Sequence, residues 1–148
     1  MAQGIDLYKE LKKDFDLKEV DIRTYSPLSL AYIGDCVFDL VVRSYVVGKG
    51  NTSNNNLHRE TTRYVSARAQ SVMADDLINE MTEEELAVYK RGKNSKTASG
   101  AKNASPTEYH KATGIEALMG YLYLTGQTER MVALIKRGME LTDERINS

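Results

Sequence analysis

The chain has 148 residues, of which 41% are hydrophobic and 28% are charged, and its formal net charge is −1. These values are typical of one globular domain with a real core, and they exclude an intrinsically disordered chain. The single cysteine, Cys36, excludes an internal disulfide and a thiolate zinc cluster. Charged residues interrupt the one long apolar run and the N-terminus has no apolar signal core, so we expect a cytoplasmic protein without a membrane span.

Apolar spacing and helix-end signals predict an all-α chain. Ser26 and Pro27 are a typical N-cap and first helical residue, and residues 48–50, Gly-Lys-Gly, end the long helix that they begin. The β-branched residues of this helix would suit a strand, but about twenty unbroken residues are too many for one. The predicted helices cover residues 5–13, 27–47, 57–80, 82–89, 106–126 and 128–141.

Two of the later helices begin with a capping box, in which Ser or Thr is followed three residues later by Glu. The pairs are Thr82 with Glu85 and Ser105 with Glu108. The helix over 57–80 has a predicted cap at Asn56. Between the two boxes, residues 92–105 contain no large apolar side chain, which predicts an exposed, mobile loop.

Two of the predicted helices each place one carboxylate in an apolar segment. Asp35 lies at the centre of residues 28–42, and Glu116 lies within residues 113–124. A buried charge is costly unless it is paired or bound to metal, so these helices predict a site for a hard divalent cation. The alternative is that Asp35 is satisfied by an arginine or a backbone N–H group.

Small residues flank both acids and would let the two helices approach closely. They are Ala31 and Gly34 in the first segment and Gly120 in the second. Such an approach would bring together two carboxylates that are far apart in sequence. The alternative is that these small residues serve helix packing alone.

Both segments resemble motifs of a known enzyme family. Tyr32-Ile33-Gly34-Asp35 is similar to the Phe-Leu-Gly-Asp core of the ribonuclease III signature. Residues 113–120, Thr-Gly-Ile-Glu-Ala-Leu-Met-Gly, resemble the second motif of that family, Asp-Ala-Phe-Glu-Ala-Leu-Ile-Gly. The resemblance covers about residues 27–124 of a chain that we expect to be one catalytic domain over 1–148. Because no double-stranded-RNA-binding domain follows it, the layout resembles Mini-ribonuclease III, the short bacterial form of the family.

The resemblance implies a ribonuclease III-type helical endonuclease domain that cleaves double-stranded RNA to 5′-phosphate and 3′-hydroxyl ends. Mg²⁺ would be the cofactor, with Mn²⁺ able to substitute for it. Asp35 would bind the metal and orient the attacking water, and Glu116 would be the second metal ligand. The resemblance also implies a homodimer paired through the signature helix, a role in maturing the ends of 23S ribosomal RNA precursor, and a large-subunit ribosomal protein as a partner.

Two acids of the family pattern are replaced in this chain. Ala31 stands where the family has a Glu four residues before the aspartate, and Thr113 stands where it has an Asp three residues before the second Glu. We therefore expect one metal ion, whose coordination is completed by water, phosphate and the Thr113 hydroxyl. Asp39 is a secondary candidate, with pairing to Arg43 as the alternative. His58 is another, with a surface or packing role as the alternative.

The region after residue 90 is the predicted RNA contact. Residues 75–85 hold six acids and no base, whereas residues 90–111 hold six basic residues and one acid, which fits a basic RNA surface beside an acidic metal pocket. Duplex RNA is bound mainly through phosphate, 2′-hydroxyl and shape. The candidate RNA-binding residues are Arg91, Lys93, Asn94, Lys96, Lys102, His110 and Lys111. The alternative is a solvated loop, with RNA bound along Arg59, Arg63 and Arg68.

Two other functions remain open at this point. The replaced acids favour an inactivated ribonuclease III fold that binds RNA or a ribosomal partner without cutting. The second is an unrelated helical adaptor whose two carboxylates are structural. Metal-dependent cleavage of duplex RNA that a chelator abolishes would remove both.

Overall fold

The computed structural model describes residues 6–95 and 105–147, without the side chains of 146 and 147, and within these ranges it contains seven α-helices and no strand. The helices are α1 (Leu7–Asp14), α2 (Pro27–Gly48), α3 (Asn54–Val65), α4 (Ala67–Leu77), α5 (Glu83–Lys93), α6 (Pro106–Leu124) and α7 (Thr128–Asn147). Short 3₁₀ turns, Ile22–Thr24 and Ile78–Glu80, precede α2 and follow α4. The all-α prediction is confirmed. In the described ranges, no helix is long and apolar enough to cross a membrane.

The ends of α2 agree with their sequence signals. The Ser26 hydroxyl accepts a hydrogen bond from the backbone N–H of Ser29 at 3.1 Å, and Pro27 is the first helical residue. Gly50, just beyond the end of the helix, has φ +128°, a backbone conformation that favours glycine. Local capping chemistry therefore determined both ends of this helix, and the prediction is confirmed.

The single helix predicted over 57–80 is wrong. Ser66 has an extended backbone and its hydroxyl accepts the N–H of Ala69 at 3.2 Å, so α3 ends there and α4 begins. A serine that offers its hydroxyl to nearby backbone groups competes with helix continuation. Ser53, not Asn56, caps α3, with its hydroxyl accepting from the Asn56 backbone N–H at 3.2 Å.

Both capping boxes are confirmed, but α5 continues to Lys93 instead of ending near residue 89. The reason is Gly92, which is buried against α6; a Cβ at this position would lie 2.7 Å from the Cβ of Ala117. This glycine allows close helix packing and does not end the helix. The predicted loop over 92–105 therefore begins later, and its residues 96–104, including Lys96 and Lys102, lie outside the described residues.

Helix α6 forms the centre of the fold. Ile115, Leu118, Met119 and Leu122 are fully buried, and α2, α4, α5 and α7 all pack against this helix. A helix that is apolar around most of its circumference has to be covered on several sides. As a result, Glu116 is held within the protein at the contact between α6 and α2.

Candidate functional site

Two glycines bring the backbones of α2 and α6 into direct contact. A Cβ on Gly34 would overlap the carbonyl oxygen of Glu116 and lie 2.7 Å from the backbone nitrogen of Gly120. A Cβ on Gly120 would overlap the carbonyl oxygen of Leu30. The predicted close approach of the two helices is therefore confirmed. Because Asp35 follows Gly34 directly, the contact sets the two carboxylates side by side.

The carboxylates lie in an open cleft of about 520 Å³ between α2 and α6. Its lining residues are Leu28, Ala31, Tyr32, Ile33, Asp35, Cys36, Tyr109, Thr113 and Glu116. Of the two carboxylates, Glu116 is the one largely withdrawn from solvent, whereas Asp35 is exposed, as is the neighbouring Cys36. The expectation that Asp35 points into an apolar interior is wrong, because α2 carries apolar residues on its solvent face as well as on its core face.

The electrostatics of the cleft are dominated by the carboxylate pair. Burial, a hydrogen bond to Asp35 and the charge of Asp35 together raise the pKa of Glu116 to about 9. At neutral pH, Glu116 therefore carries a proton that it donates to the Asp35 carboxylate. Two adjacent carboxylates that retain a proton in this way match the donor set of a hard divalent cation, which replaces the proton and allows both groups to ionise.

This proton gives a testable pH dependence of stability without divalent cations. In the unfolded chain Glu116 ionises near 4.5, so between this pH and about 9 the folded state binds more protons and the free energy of unfolding falls as pH rises. We expect Glu116→Gln to exceed the wild type in stability by at least about 1 kcal/mol at pH 9 and to show little difference at pH 5. Urea unfolding in chelator at both pH values measures this. The prediction would be contradicted if the free energies of unfolding of the variant and the wild type differed by the same amount at pH 5 and pH 9.

The replaced acids leave a small donor set. Ala31 is buried at the wall of the cleft, and the Thr113 hydroxyl donates to the carbonyl oxygen of Tyr109 at 3.0 Å, which leaves its oxygen able to accept. Among the described residues, no group of three or more His, Cys, Asp or Glu side chains could hold a metal ion. The side chains that could hold a cation in this cleft are therefore the two carboxylates and the Thr113 hydroxyl.

The other two secondary candidates lie elsewhere. Asp39 pairs with Arg43 at 2.8 Å, one turn beyond Asp35, and does not line the cleft. His58 is exposed on α3 beside a separate cavity of about 130 Å³, which Arg43 also lines. The alternatives weighed for both residues, ion pairing and a surface position, agree with this placement.

The acidic segment 75–85 does not form the predicted metal pocket. Its side chains make ion pairs with α6 and α7: Asp75–Lys111, Asp76–Arg145, Glu80–Arg137 and Glu85–Arg130. The Arg130 hydrogen bonds are the largest of the effects that hold the pKa of Glu85 below its usual value. The ion pairs of this segment therefore join helices within the protein, and none of residues 75–85 lines the cleft.

The candidate RNA-binding residues are divided by the structure. At the end of α5, Arg91 and Asn94 are exposed and Lys93 is half-buried. Gly92 packs this end of α5 against α6, within one helical turn of Glu116. In contrast, Lys111 is paired with Asp75 at 2.7 Å. His110 is half-buried, and its Nδ1 is buried without a hydrogen-bond partner among the described residues.

Sequence reasoning missed Tyr109 and Cys36 as cleft residues. Tyr109 lies seven residues before Glu116, a separation of two helical turns that places both on one face of a helix. This spacing could have identified Tyr109. Cys36 could not be assigned, because its apolar neighbours predict a buried position equally well.

Comparisons with known proteins agree with the geometry. A family model described as the Ribonuclease III domain matches residues 28–127. The chain is 51% identical over 117 residues to a Mini-ribonuclease 3 of Enterococcus faecalis, covering 78% of this chain and 89% of that protein. It is 42% identical over 125 residues to one of Clostridium tetani, covering 84% and 83%.

A crystal structure of a Fusobacterium nucleatum protein is 33% identical to the chain and has a TM-score of 0.72, covering 80% of this chain and 94% of that one. The family match and these relatives exclude the unrelated helical adaptor. The chain belongs to the ribonuclease III family, as an endoribonuclease of its Mini-ribonuclease 3 group.

Proposed function

We propose that this protein is a single catalytic domain that cleaves double-stranded RNA with a Mg²⁺ ion held by Asp35 and Glu116. The observation that supports this most strongly is the carboxylate pair in an open cleft, in which burial and Asp35 raise the pKa of Glu116 to about 9. A divalent cation bound there would take the place of the proton. Mn²⁺, which also takes oxygen ligands, would substitute for Mg²⁺. The products would carry 5′-phosphate and 3′-hydroxyl ends.

The cation, when bound, supplies an activated water and stabilises the charge that develops on the phosphoryl oxygens. The chain contributes the geometry. The backbone contact at Gly34 and Gly120 fixes the spacing of the two carboxylates. Glu116 would release its proton to solvent if it held a cation, and Asp35, being exposed, would accept a hydrogen bond from the attacking water and orient it.

The substrate class can be tested directly with matched nucleic acids. We expect Mg²⁺-dependent cutting of a long RNA duplex, and no cutting of either separated RNA strand or of a DNA duplex of the same sequence. A duplex from the ends of 23S ribosomal RNA precursor would be the preferred substrate, with a large-subunit ribosomal protein as partner and the cytoplasm as the compartment. A protein that binds the duplex and leaves it intact would instead be the inactivated RNA-binding module, which the residues Ala31 and Thr113 favour.

We further propose that the protein is a homodimer paired through α2. The exposed face of this helix carries a row of large apolar side chains, and exposed apolar rows of this kind mark interfaces. They are Leu28, Tyr32, Leu40 and Val47, with exposed fractions of 44%, 85%, 52% and 60%. Val37 and Phe38 of the same helix are instead buried within the protomer core.

We expect sedimentation equilibrium at micromolar concentration to give about twice the monomer mass of 16.6 kDa. Tyr32→Lys combined with Leu40→Lys should give the monomer, because two charges would then be buried in the interface. Val132→Lys, at an exposed apolar position of α7, serves as the control and should leave the dimer intact. A wild type that sediments as a monomer throughout this range would contradict the proposal.

We propose that the end of α5 and the segment that follows it bind the RNA backbone. Arg91 and Lys93 flank Gly92, which packs against Gly114 and Ala117 of α6, and Lys96 and Lys102 follow in the sequence. Lysines that contact phosphate add to the salt dependence of binding, whereas their loss from an exposed region costs little stability.

The triple change Lys93→Ala, Lys96→Ala and Lys102→Ala should therefore weaken duplex binding. It should flatten the slope of log affinity against log salt by up to about 2–3, with an unchanged melting temperature. The control removes three exposed lysines at the N-terminal end, Lys9, Lys13 and Lys18, so that the change in net charge is the same. Equal slopes for the two variants would move the RNA surface to the arginines of α3 and α4. Of these, Arg59 on α3 and Arg68 on α4 are exposed, and Arg63 on α3 is paired with Asp143 at 2.9 Å.

A further inference from the structure

The backbone of Tyr109 is part of the regular helix at the α6 wall of the cleft, and its hydroxyl group is unpaired among the described residues. Its backbone N–H donates to the Ser105 carbonyl at 2.9 Å, and its carbonyl accepts from the Thr113 hydroxyl at 3.0 Å. Its ring meets the ring of His110 edge-on, with centroids 6.2 Å apart. In the described part of the chain, the phenol oxygen has no hydrogen-bond partner. It is also missing from the buried unpaired atoms, so it is accessible from the cleft.

The chemistry of the cleft wall indicates what this hydroxyl meets. None of the described residues that line the cleft is Lys, Arg or His. Phosphate contacts depend mainly on such cations, so this wall is poorly suited to a phosphate away from the metal position. A phenol both donates and accepts a hydrogen bond, and its natural complement is another neutral hydroxyl.

The position of Tyr109 places that contact away from the reacting phosphate. Seven residues separate it from Glu116, which is about 10 Å along the helix axis. Both side chains lean towards the N-terminal end of the helix, so this separation of about two turns is kept between them. A phosphate held at Asp35 and Glu116 is therefore out of its reach, and a flanking nucleotide is within it.

We propose that Tyr109 hydrogen-bonds the ribose 2′-hydroxyl of a nucleotide flanking the cut and so contributes to the selection of RNA over DNA. This inference rests on the proposed function, since it requires a duplex RNA in the cleft. Tyr109 is a substrate-binding residue that contacts the ground state and the transition state equally. Its loss should therefore raise KM and leave kcat unchanged.

The test is a double-mutant cycle between the protein and the RNA. Tyr109→Phe keeps the ring and removes only the hydroxyl. The substrates are one duplex and a set of its derivatives, each with a single 2′-deoxynucleotide within three positions of the cut. We expect Tyr109→Phe to raise KM for the unmodified duplex roughly three- to tenfold. At one 2′-deoxy position, KM of the wild type should rise by the same factor, and KM of Tyr109→Phe should not change. Tyr32→Phe, which removes a phenol from the opposite wall, should show no such coupling.

Additive effects at every position would overturn the inference, as would coupling to Tyr32 in place of Tyr109. The same cycle is measured as duplex affinity in an Asp35→Asn background, where no cutting is needed. If the wild type fails to cut the duplex, the proposed function fails, and the affinity cycle alone then decides whether Tyr109 reads the 2′-hydroxyl.

Discussion

Replacing Gly34 with alanine should destabilise the protein by about 3 kcal/mol or more, a large part of the free energy of unfolding of a small domain. The added Cβ would overlap the carbonyl oxygen of Glu116, which is backbone, and backbone atoms cannot rotate away as a flexible side chain can. Relief would require α2 and α6 to separate, and their contact runs through the centre of the core. Gly120→Ala should have a similar effect, since its Cβ would overlap the carbonyl oxygen of Leu30.

Gly48→Ala is the matched control, on the same helix. A Cβ at this position would have no atom within 4 Å, so the change should be neutral or should stabilise the protein by up to about 1 kcal/mol. Urea unfolding of the three variants and the wild type measures the difference. If Gly34→Ala were as stable as Gly48→Ala, the two helices would not be in backbone contact in solution.

Asp35→Asn should lower the rate of RNA cleavage by at least about a hundredfold while duplex binding and folding persist. The amide keeps the size of the side chain but removes the charge that would hold the cation. Stability without metal should not fall, because the change removes the negative charge that raises the pKa of Glu116.

Asp39→Asn supplies the control for this prediction. It removes an acid one turn further along α2, and this acid is paired with Arg43 outside the cleft. We expect its cleavage rate to stay within a factor of about three of the wild type, as is usual for loss of an exposed ion pair. Equal rates for Asp35→Asn and the wild type would remove Asp35 from the chemistry.

The parts of the fold that could be predicted from the sequence are those that depend on local chemistry. Ser26, Thr82 and Ser105 begin their helices where capping rules place them, because each hydroxyl accepts a hydrogen bond from the backbone N–H three residues later. Ser66 has the same chemistry, but it is surrounded by a helical pattern on both sides, and its extended backbone was not predicted. Ser66 is a typical capping residue, but the apolar helical spacing continues through it and predicts one uninterrupted helix.

The sequence predicts that Asp35 and Glu116 lie close together, but it does not predict which of the two is buried. Small residues beside Asp35 and Glu116 indicated a close approach, which depends only on side-chain size. Whether each acid is buried depends on which helix face meets the core. In α2 this could not be inferred, because Tyr32 is 85% exposed and Phe38 is 1% exposed within the same apolar run. The ion pairs of residues 75–85 could not be predicted for a related reason, since their partners on α7 are 45 to 69 residues away in the sequence.

The most direct measurement of the central claim is a time course of one long RNA duplex with the wild-type protein in Mg²⁺, in excess chelator, and after Mg²⁺ is restored. The proposal that Asp35 and Glu116 hold a catalytic cation predicts cutting of both strands to 5′-phosphate ends, its complete loss in chelator, and its full recovery. A duplex that stays intact in Mg²⁺, or one that is cut equally fast in chelator, would contradict it.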